Sequence, residues 1–170
     1  RLVGSEMCIR DSFEPSVIAE MLETASYLHK GVKIAFDDRT TGKTFKFHSE
    51  EGIPALLEKI IKDRGKNATH EAVYHFEHEA DPKFEVVLQW TDETQEVVRS
   101  YVNGVQTPMG GTHESGFRTA INKAVRNYVE THKLKQKGVT LTAEDIREGL
   151  TAIVSVYVRD PQFQGQTKDC

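Results

Sequence analysis

Cysteine is nearly absent. The 170-residue chain has two, Cys8 and Cys170, one near each end. A disulfide framework is thereby excluded, and so is a thiolate metal centre, which needs more ligands than these supply. Such scarcity fits a reducing cytoplasm. Long apolar runs are missing too: nothing approaches the ~20 residues that cross a bilayer. Arg1–Ser12 has no apolar stretch of the kind a secretory signal carries. Charge of either sign is in little excess, since 22 Lys+Arg against 26 Asp+Glu leave a formal net charge of -4. Bulk electrostatics therefore give no pull toward nucleic acid, and any DNA contact needs a local basic face or another part of the protein. What is present is 38% apolar and 28% charged, too apolar and too evenly charged for a disordered segment. A chain of this length hides roughly 70% of its unfolded surface on folding. One domain, or parts of two, is expected.

Arg1–Ser12 has neither helical nor strand periodicity and is similar to translated sequencing-adapter readthrough. Residues 1–12 are expected to be a non-native leader. The lack of an initiator Met and the open polar end at Gln166–Cys170 suggest a piece of something longer.

From Pro15 the pattern becomes regular. Pro15 suits the first residue of a helix, and Val17, Ile18, Met21, Leu22, Ala25 and Leu28 are predicted to form its apolar face, with Gly31 as the left-handed stop. Val32, Ile34 and Phe36, then Phe45 and Phe47, predict a hairpin through the turn residues Asp37–Gly42. Ser49 is placed to cap a second helix carrying Ile53, Leu56, Leu57, Ile60 and Ile61, ended by Gly65. Ala72–Glu79, Phe84–Trp90 and Glu96–Val102 are strand-like, joined by short turn-rich links. They predict an antiparallel meander, and Asn103-Gly104 ends its third strand. Phe117, Ala120, Ile121, Ala124, Val125, Tyr128 and Val129 form one stripe of a long helix. Thr142–Asp145 predicts a capping box. The last strand, Ala152–Val158, is apolar on both faces and is predicted to be central in its sheet.

Several motifs fail chemically. Gly42-Lys43-Thr44 lacks the earlier glycine of a phosphate-binding loop, that position being Asp37, and a strand follows it where a helix is needed. His75 and His78 point to opposite faces of a strand, His70 lies far from His78, and His113 is remote in sequence, so no metal site is expected among the histidines. Gly110-Gly111-Thr112-His113 before a helix could bind an anion, but a tight turn with a cap explains it better. Arg118, Lys123 and Arg126, with Lys133, Lys135 and Lys137 beyond, could touch DNA phosphates, although such a face is more often simply solvated.

Three blocks carry a family resemblance. Gly110-Gly-Thr-His-Glu-Ser-Gly-Phe-Arg118, Leu141–Val156 with its Arg147-Glu-Gly-Leu150 run, and Asp160-Pro-Gln-Phe-Gln-Gly-Gln-Thr-Lys168 resemble, in order, segments of the ATPase subunit of bacterial type IIA DNA topoisomerases. That family comprises the B-type subunits of gyrase and of topoisomerase IV. Phe117 and the Arg147–Leu150 run lean to gyrase, whereas Met109 stands where gyrases often have Glu.

The resemblance, covering about Phe13 to Lys168, implies an α+β fold, an α/β sandwich. A transducer domain like domain 2 of ribosomal protein S5, residues 66–170, would follow a connecting helix at 49–65. Residues 13–48 would be the C-terminal end of a GHKL-type ATP-binding domain. It implies that Gln166 and Lys168 contact the γ-phosphate of ATP, and that Gly110, Gly111, Thr112, His113, Gly116, Phe117 and Arg118 serve structure or coupling. The catalytic Glu, the Mg²⁺ ligand and the DNA-cleavage machinery would lie outside this chain, leaving it inactive alone. Implied partners are DNA, the DNA-cleaving A-type subunit, and a second B-type subunit through the ATPase domains. The implied location is the cytoplasm, at the nucleoid. The competing reading is a stand-alone interaction or nucleic-acid-binding module that kept the fold without the ATPase.

Overall fold

The computed structural model describes residues 14–134, 138 and 140–162. The expected leader at 1–12, Lys135 and Lys137, and Gln166 and Lys168 lie outside them. The chain begins with helix α1 (Pro15–Leu28), a hairpin of β1 (Lys33–Asp38) and β2 (Lys43–His48), and helix α2 (Ile53–Asp63). Then come β3 (Tyr74–His78), β4 (Lys83–Trp90), β5 (Val97–Val102), a two-residue β6 (Val105–Gln106), the long α3 (Thr112–Thr131), the short α4 (Ala143–Arg147) and β7 (Leu150–Tyr157). Among the described residues no helix is long and apolar enough to cross a membrane.

The second sheet has the order β3-β4-β7-β5-β6. This corrects the meander. β3 and β4 do form an antiparallel hairpin, but β5 leaves β4 and pairs in parallel with β7, which inserts between them. The reason lies in β7 itself. Leu150, Ala152 and Val154 are buried on one face, Thr151, Ile153 and Ser155 on the other. A strand with no solvent-facing side must take the centre, and β5 has to wait for it. The two-residue β6 has too few residues to leave a sequence pattern; Asn103 and Gly104, both at positive φ, make the tight turn that attaches it to β5.

Each face of the sheet has its own helix. On one, α2 presents Ile53, Leu56, Leu57, Ile60 and Ile61 to Val87, Tyr101 and Ile153, with Leu28 of α1 joining the cluster. On the other, Phe117 and Ile121 of α3 pack on Leu88, Leu150 and Ala152. The layers are helix, sheet, helix, with the small β1–β2 sheet beside α1. Three local expectations need adjusting. In α1, Val17 and Met21 are exposed, and Ala19, Ser26 and Leu28 are the buried residues. In α3, Ala120, Ala124 and Tyr128 are exposed, because only the first half of the helix meets the sheet. Ser49 does not cap α2 directly; its hydroxyl accepts from the Gly52 amide at 3.0 Å, just ahead of Ile53. The Thr142–Asp145 capping box forms as expected.

The link from β4 to β5 must cross the start of β7, and it does so at Gly149. The Thr91 amide donates to the Gly149 carbonyl at 2.8 Å, and the Thr91 hydroxyl donates to the same oxygen at 3.1 Å. Gly149 has φ +71, and a Cβ there would run into the Thr91 carbonyl and lie 2.9 Å from that of Glu93. The crossing is tied down on its outer side: Asn67 donates to the Asp92 carboxylate through its amide and side chain at 2.9 and 3.1 Å, and Arg64 reaches Glu93 at 3.1 Å.

Gly149→Ala combines an unfavourable backbone angle with a backbone clash. It is expected to lower the stability of the chain by about 2 kcal/mol or more, read from the midpoint of urea unfolding. An unchanged midpoint would contradict a crossing that only glycine permits.

Candidate functional site

The Gly110–Arg118 motif stands at the start of α3, and the structure gathers most of it into one polar knot. Gly110 has φ +73, and its amide donates to the Thr107 carbonyl at 2.9 Å. Gly111 is the N-cap of α3, with extended backbone. Its constraint is space: a Cβ would sit 2.8 Å from the His113 ring. Thr112 is exposed at the first helical position. Gly116 is exposed with open space around it. Phe117 turns the other way, into the apolar cluster of β4 and β7.

The residue that organises the knot is one that sequence pattern does not single out, Glu114. It is the buried residue of α3. Its Oε2 accepts from the Ser100 hydroxyl at 2.7 Å, and its Oε1 pairs with Arg118 Nη2 at 2.7 Å. Arg118 Nε in turn donates to both oxygens of Glu96, at 3.0 and 3.1 Å. Arg147, from the second motif block, stands 4.0 Å from Glu96. A buried carboxylate is tolerated only when paired and hydrogen-bonded, and Glu114 is both. It lies in the first turn of α3, where the helix dipole favours negative charge. The carboxylate lies beside Gly110, so negative charge already stands at that end of the helix.

His113 closes the other side. Its Nε2 lies 3.2 Å from Thr107 Oγ1, and that hydroxyl donates to the Ser100 carbonyl at 3.0 Å. The Ser100 hydroxyl also lies 2.8 Å from Thr107 Oγ1, so Glu114, Ser100, Thr107 and His113 form one hydrogen-bonded chain whose proton order follows the imidazole tautomer. Burial pushes His113 below the usual imidazole value, with the Glu114 charge opposing in part. The network thus ties β5, the segment after β6, the start of α3 and the α4 region into one piece. A shallow pocket lined by Thr94, Glu96, Asp145 and Arg147 opens beside it. The knot holds these segments in fixed relative positions.

The other expected elements find their places. Asp38, in the hairpin that mimics a phosphate loop, accepts from the Thr40 amide at 2.9 Å and from the Thr41 hydroxyl, a turn and not a nucleotide cradle. Tyr157, near the end of β7, donates its hydroxyl to the Leu28 carbonyl at 3.1 Å. Lys59 of α2 pairs with Glu23 of α1 at 2.5 Å. Sequence spacing could not show these two contacts, because they join residues far apart in the chain. The tyrosine fixes the C-terminal end of β7 against the end of α1, and the ion pair holds α1 to α2.

Glu114→Gln keeps the shape but removes the charge that answers Arg118. It is expected to cost about 1–3 kcal/mol of stability in urea unfolding; no measurable loss would contradict the buried pairing. For His113 the folded value lies below the unfolded one, near 6.5. The unfolded chain therefore binds the proton more readily, and stability is lost as pH falls from about 6.5 toward the lower folded value. The deficit of His113→Gln relative to the unmodified chain should shrink between about pH 7.5 and 5.5. A deficit that does not shrink would argue against a neutral, half-buried imidazole.

Comparison with known proteins places this geometry. The family model for DNA gyrase B matches residues 52–170. The gyrase B protein of Halalkalibacterium halodurans is 40% identical over 159 residues, covering 92% of this chain and 25% of that protein. The crystal structure of the 43K ATPase domain of Thermus thermophilus gyrase B, in complex with an aminocoumarin, is 30% identical with a TM-score of 0.79; the match covers 89% of this chain and 42% of that one. The topoisomerase IV ATP-binding domain of Francisella tularensis, in complex with a small-molecule inhibitor, is 26% identical with a TM-score of 0.72, covering 94% and 43%. This chain thus spans about a quarter of the curated relative's length. Its α+β sandwich is that of a gyrase B ATPase region, and the chain belongs to the DNA gyrase B family.

Proposed function

We propose that this chain is the coupling segment of the ATPase subunit of a bacterial type II DNA topoisomerase of the gyrase kind. In the whole protein it links ATP binding and hydrolysis to the passage of one DNA duplex through another. The observation that carries the reading is the match of the gyrase B family model across residues 52–170, on a fold like that of a gyrase B ATPase domain. On this reading residues 13–48 are the tail of a GHKL-type ATP-binding domain, 49–65 a connecting helix and 66–170 the transducer. The partners are DNA, the A-type subunit, and a second B-type subunit within a complex of two of each. The place of action is the cytoplasm, at the nucleoid.

ATP, with Mg²⁺ held by residues outside this chain, supplies a terminal phosphate whose removal changes what a neighbouring loop can grip. Gln166 and Lys168 are the residues of this chain that would hold that phosphate. The donor set fits: an amide N–H and a compact ammonium charge suit phosphate oxygens. One observation supports the direction. The Tyr157 hydroxyl anchors the end of β7 to the Leu28 carbonyl, so the chain leaves the sheet beside the segment assigned to the ATP-binding domain. A contact made only to the γ-phosphate is lost with that phosphate, and the sandwich behind it can then move as a unit. The Glu114–Arg118–Glu96 knot supplies the stiffness for that motion.

In the full-length protein, Lys168→Ala is expected to lower ATP turnover by about 100-fold and to abolish supercoiling with the A-type subunit. The 170-residue chain alone should show no ATP hydrolysis and no DNA relaxation. Wild-type turnover in Lys168→Ala, or turnover by the isolated chain, would contradict the assignment.

A further inference from the structure

The β3–β4 hairpin at the sheet edge carries a group that the coupling role does not use. Glu77 and Glu85 are directly opposite each other in the antiparallel register. Like charges so placed repel and weaken a hairpin. His75 lies two residues before Glu77 on the same face, diagonal to Glu85. Its Nε2 is 2.8 Å from Glu85 Oε1 and 3.3 Å from Glu77 Oε1. The three donor atoms all lie within 4.8 Å of one another.

We propose that His75, Glu77 and Glu85 form a binding site for a divalent first-row transition cation, with Zn²⁺ its natural probe. Ligands held ~2.1 Å from one cation lie ~3.0 Å apart at a right angle and ~3.4 Å apart at a tetrahedral one. The 3.3 Å separation to Glu77 falls in that range, and the 2.8 Å separation to Glu85 lies just below it, so a cation needs only a small opening of that pair. An imidazole with two carboxylates is a borderline donor set, suited to Zn²⁺, Co²⁺ or Mn²⁺ and poorly suited to Ca²⁺ or Mg²⁺, which want oxygen alone. The ligands come from paired strands with fixed register, so little ordering is needed on binding. Remaining coordination positions face solvent, because His75 and Glu77 are exposed and only Glu85 is half-buried. The row continues inward at Ser155, paired with Glu85 across β4 and β7. Its hydroxyl is buried and has no partner among the described residues, which leaves a donor on the strand beside the carboxylate, where an outer-shell partner would stand.

The consequence is structural. All five residues of β3 are exposed, so this edge strand is held chiefly by its ladder to β4. A cation bridging His75 and Glu77 on β3 to Glu85 on β4 neutralises the opposed carboxylates and staples the edge in place. Parity along one strand sets the histidines apart and so hides the group from sequence. The ligands that count are carboxylates, one of them across the turn.

The test is Zn²⁺ titration of the 170-residue chain, with Cys8→Ser and Cys170→Ser to remove thiolate binding, followed by isothermal calorimetry. One equivalent should bind, and His75→Gln and Glu85→Gln should each weaken it by roughly tenfold or more, at least the loss seen when an outer-shell partner is removed. Because a variant could fail for reasons of folding, the unsubstituted ligand set is also followed by amide NMR on adding Zn²⁺. Shifts should concentrate in Tyr74–His78 and Lys83–Val87. Binding weaker than about 1 mM, binding unchanged in His75→Gln, or shifts centred on another histidine would each overturn the site.

Discussion

β7 pairs with β4 on one side and β5 on the other, and water reaches its buried residues from neither face of the sheet. The rest of the structure follows from housing that strand. Its two faces need two helices, and α2 and α3 supply them through separate apolar clusters. Its two sides need two partners, so β4 and β5, neighbours in the chain, are forced apart. The link between them then crosses the strand's start, which only a glycine at position 149 permits. At the far end, Tyr157 ties the strand to the end of α1. Burial of apolar surface is the driving force, at roughly 25 cal/mol per Å², and the topology is the way this sequence satisfies it.

The second determinant is electrostatic. Glu114 is buried at the start of α3, and its cost is offset only because Arg118 and the Ser100 hydroxyl meet both of its oxygens. Arg118 is shared with Glu96, so one guanidinium answers two carboxylates. Its planar, forked donors suit this double role, and lysine would not replace them. Networks of this kind are rigid when every member is satisfied. In the proposed coupling role that rigidity has a use. A force applied at the loop beyond β7 is carried through a sandwich that does not shear at the base of α3.

Much of the fold is legible in the sequence because it rests on local patterns. The β1–β2 hairpin follows from alternating Ile34, Phe36, Phe45 and Phe47. The α2 face follows from five apolar residues at helical spacing, and the central place of β7 from apolar residues on both faces. The strand order is not legible. The β4–β5 link is as short as a hairpin turn, and nothing local tells it from a sheet crossing. The exposed half of α3 and the exposed Val17 and Met21 of α1 mislead for a related reason: an apolar stripe states what could be buried, not how far its partner extends. Within the motif, the glycines and Arg118 stand out through the family resemblance. Glu114 looks like an ordinary first-turn acid, since its burial depends on contacts such as that with Ser100, contributed by the chain before the helix.

Native-state hydrogen exchange, resolved by residue on the intact chain, tests the primacy of β7 most directly. Amides of β7 and of β4 facing it should exchange last, at the rate of global unfolding, while those of β3 and the second half of α3 exchange earlier through local opening. If the amides of Leu150–Tyr157 exchange as fast as those of Tyr74–His78, the strand is not the keystone of this fold, and the topology needs another cause.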